Sequence, residues 1–297
     1  MTPDDPVVIV LDDNPISAGV LKALDELGCM NFVTPSIRPI HQAFGPAVRD
    51  AAYDVSELAI VTALQAVEHR KPIIPLPITI AARFQHLCIV QDGDRDNFTP
   101  QDLRGKRVGV RAYSQTTGAW VRTILEMEYG VPASSIQWIT QVSPHVLEST
   151  EPENVIRNKD ALPLDEMLRR GIVDAAIFGN DMPGHSWIKP VIDNPHEVAL
   201  ASYYKFDVVP INHIIAVSRE FAQRDPEAVK LIYRLFGESK SMLSDPSKPD
   251  LLPFGPVEMR SSVEALLGSA RSQGLIKRPL SFDDIFGEGI KLVGAWT

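Results

Sequence analysis

The 297-residue sequence is most informative at first in what it lacks. It has two cysteines, Cys29 and Cys88, far apart and each in an apolar run. Neither has a partner at metal-ligand spacing, so both read as buried free thiols. There is no His-x-x-x-His pair and no acid triplet at ligand spacing. No metal motif is visible, although three scattered ligands could still meet in space around a divalent ion. A phosphate-cradling glycine loop is missing, since Gly105 and Gly109 are too few and wrongly placed. So is the Gly-x-Ser-x-Gly elbow of a serine nucleophile. Basic residues are outnumbered, 29 against 38 acids, and the net charge of -9 argues against a nucleic-acid partner. No apolar run approaches the roughly 20 residues of a membrane span. The opening MTPDDPVVIVLDD has acids where a signal peptide carries basic residues, which leads to a cytoplasmic expectation.

What is present is a globular composition, 44% hydrophobic and 23% charged, long enough for two lobes. Residues 7–11 form a β-branched run that reads as a strand. Asn14 caps the following helix, Pro15 opens it and Gly28 closes it. Strands are expected at 32–37, at 53–60 running into a helix over 61–68, and at 84–90. The three prolines of residues 71–80 argue for an extended segment. A second unit repeats the alternation: a strand at 108–111, a helix with Trp120, Val121, Ile124 and Leu125 on one stripe, and Gly130 as its stop. Then come a strand at 136–140, a loop over 141–160, a helix at 163–170 and a strand at 173–178. Residues 198–218 read as two extended segments, and the remainder as helices at 221–242, 257–274 and 282–286. This order predicts an α/β protein in which lobe 1 (1–92 and 206–297) is interrupted by lobe 2 (93–205). Extended crossings near Asp92 and Tyr203 would serve as a hinge, with ligand in the cleft between the lobes.

One junction stands out. In GVRAYSQTTGAWV a strand stops at Arg111, and a polar cluster, Ser114, Gln115, Thr116 and Thr117, precedes a helix. A helix N-terminus exposes unpaired amides and partial positive charge, which suits a carboxylate. Arg111 could grip the same group through two bonds. The competing reading is a plain helix cap with surface threonines. In AARFQHLCIV, Arg83 begins a strand whose alternation puts Phe84, His86 and Cys88 on one face. His213 lies in INHIIAV. Each histidine alone could be a satisfied core residue; together they are acid-base candidates. The other five, His41, His69, His145, His185 and His196, read as surface residues. Glu57, in DVSELAI, could be a general acid or base, or could pair with an arginine or a helix end. Asp12 and Arg38 are candidates by their position at strand ends.

The segments LRGKRVGVRAYSQTTGAWV and LPLDEMLRRGIVDAAIF resemble the second lobe of type II periplasmic-binding-protein folds. Within that group, YDVSELAI, PLPITIAARFQHLCIV, DLRGKRVGVRAYSQTTGAWVRTILEMEYGV, IQWIT, FDVVPINHIIAVSREF and GLIKRPLSFDDIFGEGI are similar to the 4,5-dihydroxyphthalate decarboxylase family. The resemblance implies that the strands carrying His86 and His213 are antiparallel neighbours in lobe 1. It also implies non-oxidative loss of CO2 from a hydroxylated aromatic carboxylate, without an organic cofactor. Arg83, Arg111 and the 114–117 cluster would anchor the carboxylate, His86 and His213 would move protons, and Glu57 would orient one of them. The sequence departs from the family after Phe178, where an arginine is usual and GNDMP stands, bringing in Asp181. The alternative is a solute-binding protein that captures a small carboxylate for a transporter or sensor. The oligomeric state is open, a homo-oligomer included.

Overall fold

A computed structural model of the chain describes residues 5–159 and 162–294. The first elements are β1 (Val7–Val10), α1 (Pro15–Leu27), β2 (Phe32–Val33), α2 (His41–Asp50), β3 (Val55–Ala59), α3 (Ile60–Glu68) and β4 (Ile73–Ala82). Next come β5 (Ile89–Asp92), β6 (Arg107–Val110), α4 (Thr116–Tyr129), β7 (Gln137–Thr140), β8 (Val155–Arg157), α5 (Leu164–Arg169), β9 (Ala175–Ile177), β10 (Ile188–Pro190) and α6 (Pro195–Phe206). The chain finishes with β11 (Ile211–Ser218), α7 (Arg219–Arg224), α8 (Pro226–Leu243), α9 (Pro256–Ser272) and α10 (Phe282–Val293). Two compact units emerge. Unit 1 is Met1–Ala82, Ile211–Glu264 and Leu280–Thr297; unit 2 is Arg83–Pro210 and Ala265–Pro279.

Unit 1 is built on a sheet of order β2-β1-β3-β11-β4. β1 pairs parallel with β2 and β3, while β11 runs antiparallel between β3 and β4. All five residues of β3 are buried, as a central strand covered on both faces requires. β4 lies at the sheet's edge, where Pro75 and Pro77 cost no ladder bond on the open side. α1 starts and stops as its sequence dictates. Asn14 accepts from the Ser17 N–H, Pro15 is the first helical residue, and Gly28 takes the left-handed conformation that ends it. Val20 and Leu24 pack from α1 into a core shared with Ile9, Leu76, Ile215, Val229 and Phe236. Each such side chain contributes roughly 1.5–3 kcal/mol on burial.

Unit 2 has a six-stranded sheet of order β10-β5-β9-β6-β7-β8. β9, β6, β7 and β8 are parallel, and β5 and β10 extend the sheet antiparallel. α4 is buried all round from Thr116 through Leu125, and Gly130 closes it in the left-handed conformation.

Several expectations need correction. Residues 84–88 are not a strand: His86–Cys88 is a 3-10 turn closed by the Cys88 N–H on the Gln85 carbonyl, and the strand begins at Ile89. His86 therefore lies outside any sheet, in unit 2, while His213 lies in β11 of unit 1, whose sheet neighbours are β3 and β4. Residues 195–206 are helical rather than extended, so Tyr203 is not in an extended crossing. The expected strand at 32–37 shrinks to two residues, and a short strand, β8, occupies part of the loop expected at 141–160. The helix expected over 221–242 breaks at Asp225, which caps α8 ahead of Pro226. α10 runs on to Val293. Cys29 is exposed, and Cys88 alone is buried. Among the described residues, no helix is long and apolar enough to cross a membrane.

Candidate functional site

In unit 1 four of the expected residues come together. The register sets Glu57 opposite Ile215 and Ala59 opposite His213, so Glu57 and His213 are diagonal neighbours on one face of the sheet. Glu57 is 1% exposed. Its Oε1 lies 2.6 Å from His213 Nδ1, and its Oε2 accepts the Asp12 N–H at 2.8 Å. A buried carboxylate is costly unless its oxygens are bonded, and here both are. An ionised Glu57 can only accept, so in that state Nδ1 donates to Oε1 and Nε2 is the ring nitrogen outside the pair. The edge-on ring of Phe44, 5.1 Å away between centroids, restricts the imidazole further. The His213 side chain keeps 21% of its surface, so it is the outward member of the pair.

Asp12 and Arg38 flank this dyad. Arg38 donates to the Leu11 carbonyl at 3.3 Å, and its guanidinium lies 2.7 Å from Asp13 and 3.6 Å from Asp12. The hydrogen bond to Asp13 holds Arg38 above its ordinary pKa, although burial works against it. A cavity opens beside these residues, bordered also by Asn14, Ser17, Thr34 and Ser36.

In unit 2 the expected anion cluster gathers where β6 gives way to α4. No side chain caps α4. Ser114, Thr116 and Thr117 are buried there, and Thr116 Oγ1 and Gln115 Oε1 have no hydrogen-bond partner. Buried polar atoms are normally bonded, so these two are exceptions at the helix end. Burial pushes the Arg111 guanidinium below its ordinary pKa, and Asp181 pulls it back. Gly179 is the point of convergence. A methyl group on it would lie 3.2 Å from Asp181 Oδ1, 3.3 Å from Gln115 Nε2 and 3.9 Å from Arg83 Nη2. Asp181 Oδ1 accepts the Gly179 N–H at 2.8 Å. Arg83, Arg111, Gln115 and Asp181 therefore share one locality with the uncapped helix end.

His86 is elsewhere. Its Nε2 lies 3.1 Å from Glu128 Oε1, which also accepts the Ser202 hydroxyl at 2.6 Å. Glu128 is twelve residues along α4 from Thr116, about 18 Å at 1.5 Å per residue. His86 is thus a buried, paired residue beside an apolar pocket lined by Phe84, Trp120, Tyr203 and Phe206. His86 is bonded at the opposite end of α4 from Thr116, although Arg83 precedes it by three residues.

Sequence reasoning missed Gly179 and Arg122. Gly179 carried no signal beyond its place after a strand. Arg122 interrupts an otherwise apolar stretch of α4, which was a usable sign. It is fully buried, donates to Tyr113 O at 2.7 Å and to Gln273 Oε1 at 2.6 Å, and lies over the Tyr113 ring at 4.1 Å. Through the Tyr113 carbonyl it holds the segment that leads into the first turn of α4. No group of three or more His, Cys, Asp or Glu among the described residues is placed to hold a metal ion.

No family model matches the chain. It is 30% identical over 239 residues to a 4,5-dihydroxyphthalate decarboxylase of Comamonas testosteroni, covering 74% of this chain and 72% of that protein. It is 31% identical over 144 residues to a 4,5-dihydroxyphthalate decarboxylase of Pseudomonas putida, covering 46% of this chain and 56% of that one. Among solved structures it is similar to the periplasmic sulfonate-binding protein SsuA of Methylobacillus flagellatus KT. That match has a TM-score of 0.54 and 10% identity, over 96% of this chain and 93% of that one. The alkanesulfonate-binding SsuA of Xanthomonas axonopodis pv. citri gives 0.52 and 12%, over 94% and 97%. At these identities the structures establish the fold, the two-sheet α/β architecture of periplasmic binding proteins. The sequence relation establishes the family: this chain belongs to the 4,5-dihydroxyphthalate decarboxylases.

Proposed function

We propose that the chain is a non-oxidative decarboxylase of a hydroxylated aromatic carboxylate, with 4,5-dihydroxyphthalate as the reference substrate. The observation that carries the reading is the Glu57–His213 dyad at 2.6 Å in a chain of this family. The reaction exchanges CO2 for a proton at one ring carbon. A base accepts the proton of the hydroxyl para to the departing carboxylate, which raises electron density at that carbon. The carbon takes up a proton, the C–C bond breaks, its electron pair returns to the ring, and CO2 leaves. No oxidant is consumed, and the activated ring needs no organic cofactor.

His213 suits the proton-moving role. Its Nε2 is the free nitrogen, and Glu57 both fixes the ring and stabilises the imidazolium formed when a proton arrives. Arg111, Arg83 and the amides of the first turn of α4 supply the carboxylate grip. His86, paired with Glu128 near the far end of α4, has no part in this proposal. The reading also places the reaction in the cytoplasm, where the unpaired Cys29 and Cys88 stay reduced.

The test is release of CO2 from 4,5-dihydroxyphthalate by the purified chain. Wild type is expected to turn over, and His213→Gln to lose about 10²-fold or more in kcat with its unfolding midpoint kept. Full activity in that variant would remove His213 from the mechanism. The same fold carries sulfonate-binding proteins. Ligand-induced thermal stabilisation without any CO2 would therefore reassign the chain to ligand capture.

A further inference from the structure

The first turn of α4 stands over an unneutralised charge. Arg122 is fully buried, and its two hydrogen bonds go to uncharged acceptors, the Tyr113 carbonyl at 2.7 Å and Gln273 Oε1 at 2.6 Å. Nη1 has no partner. Among the described residues no carboxylate pairs with it, and the one ionisable group that acts on its charge is the Tyr113 phenol. A buried cation normally has a counter-charge, because attraction to an anion offsets the cost of leaving water. Gly118, the third residue of α4, shows where this one lies. A methyl group on it would come within 3.2 Å of Nη1 and of Val110 Cγ2. The unbonded end of the guanidinium thus reaches the first helical turn, where Thr116 Oγ1 is also buried without a partner. That is the wrong end of a helix for a cation, since the macrodipole is positive there. Both penalties vanish when an anion arrives, and little water screens the attraction in a buried site.

We propose that Arg122 is a positioning residue for the anion: its unpaired guanidinium, set inside the first turn of α4, is the buried counter-charge that draws a ligand carboxylate onto that helix end. This rests on the anion-gripping role assigned to the cluster in the proposed function. With no surface of its own, Arg122 acts across the turn and not by contact. Gly118 is part of the device, because a side chain there would meet the guanidinium.

Calorimetric titration with phthalate tests it. Phthalate has carboxylates but no ring hydroxyl, so the proposed route cannot consume it. Gln273→Glu puts a carboxylate on the atom that already accepts from Arg122 Nε. The guanidinium stays in place, the new carboxyl is held ionised beside it, and the positive charge is cancelled. Phthalate is expected to bind this variant about tenfold or more weakly than wild type. Arg122→Gln keeps a donor for the Tyr113 carbonyl but no charge and should lose as much, whereas Arg122→Lys keeps the charge and should stay within about threefold of wild type. With 4,5-dihydroxyphthalate as substrate, Gln273→Glu should raise KM in the same proportion and leave kcat within about twofold. A purely structural Arg122 gives another pattern: Gln273→Glu binds phthalate like wild type, or the Gln and Lys replacements of Arg122 lose affinity equally. Either result, with Arg111→Ala still weakening phthalate, overturns this proposal and leaves the anion-grip reading standing. No binding of phthalate by wild type overturns both.

Discussion

A guanidinium with no exposed surface must be held by acceptors and rings. Arg122 has the carbonyl of Tyr113, the side chain of Gln273, and the faces of Tyr113 and Trp138 at 4.1 and 5.1 Å. Burial pushes its pKa down to about 10, with the Tyr113 ring hydroxyl pulling the other way. Gln273 in turn bonds Ala119 O, Thr123 and Ser269, and its own carbonyl accepts the Tyr113 hydroxyl at 2.7 Å. Replacing Arg122 by methionine fills the space but strands two buried acceptors. The expected cost is about 2–4 kcal/mol of unfolding free energy, read as a lower urea midpoint. A midpoint within experimental error of wild type would show that the network is slack. Cys29 and Cys88 illustrate the limit of composition at this scale. Apolar neighbours suggested burial for both, but Cys29 directly follows the glycine that ends α1 and is exposed there. Cys88 is enclosed by the turn it closes, and burial raises its thiol pKa despite Arg83.

Among elements, the parallel pair β6 and β9 is locked at its start by one carboxylate. Asp174 accepts from the Arg107 N–H at 2.9 Å and from two of its guanidinium nitrogens at 3.1 and 2.8 Å, while its own N–H donates to the Arg107 carbonyl. Burial alone would raise the Asp174 pKa. The bonds from Arg107 outweigh it and hold the carboxyl below its ordinary value. The native state therefore favours the ionised form. The stabilisation is complete above the unfolded aspartate range and is lost as pH falls through the lower, folded value. Because the pair is partly exposed, Asp174→Asn should cost only about 1 kcal/mol at pH 7. That deficit should start to shrink below about pH 4 and vanish once the pH is below the lowered, folded value, in urea titrations of the two proteins. A deficit that persists at low pH would trace the cost to packing instead. α1 was legible because cap, stripe and stop agree; α4, which no side chain caps, was legible from its stripe and its glycine stop. α6 was not: of its residues only Ala199 is fully buried, so no apolar stripe marks it, and its two adjacent tyrosines mimic a strand. Residues 84–88 failed for the opposite reason. Gln85, His86 and Cys88 are all buried, and a turn enclosed on every side shows no alternation to distinguish it from a strand.

For the whole molecule, the alternation of strands and helices pointed to two α/β units, with bounds of 1–92 and 206–297 for one and 93–205 for the other, whereas the compact units place residues 83–92 and 265–279 with the second. The sharing of one helix was not legible. α9 is continuous from Pro256 to Ser272, yet the unit boundary falls at Glu264, within it, and its last turn supplies Ser269 to the Arg122 network. The candidate groups divide in the same way: the pair proposed to move protons belongs to unit 1, and the cluster proposed to grip the carboxylate belongs to unit 2. If that division is the functional one, the two kinds of variant must separate in steady-state kinetics. Glu57→Gln keeps the shape of the dyad but replaces the acceptor for Nδ1 by an amide, so kcat should fall about 10²-fold or more with KM little changed. Arg111→Ala removes a grip made in the ground state as well as later, so KM should rise about tenfold or more with kcat largely kept. Initial rates of CO2 release across substrate concentration decide the matter. Equal losses of kcat in both variants would mean that the anion cluster acts on the transition state itself and that binding and proton transfer are not separable between the units.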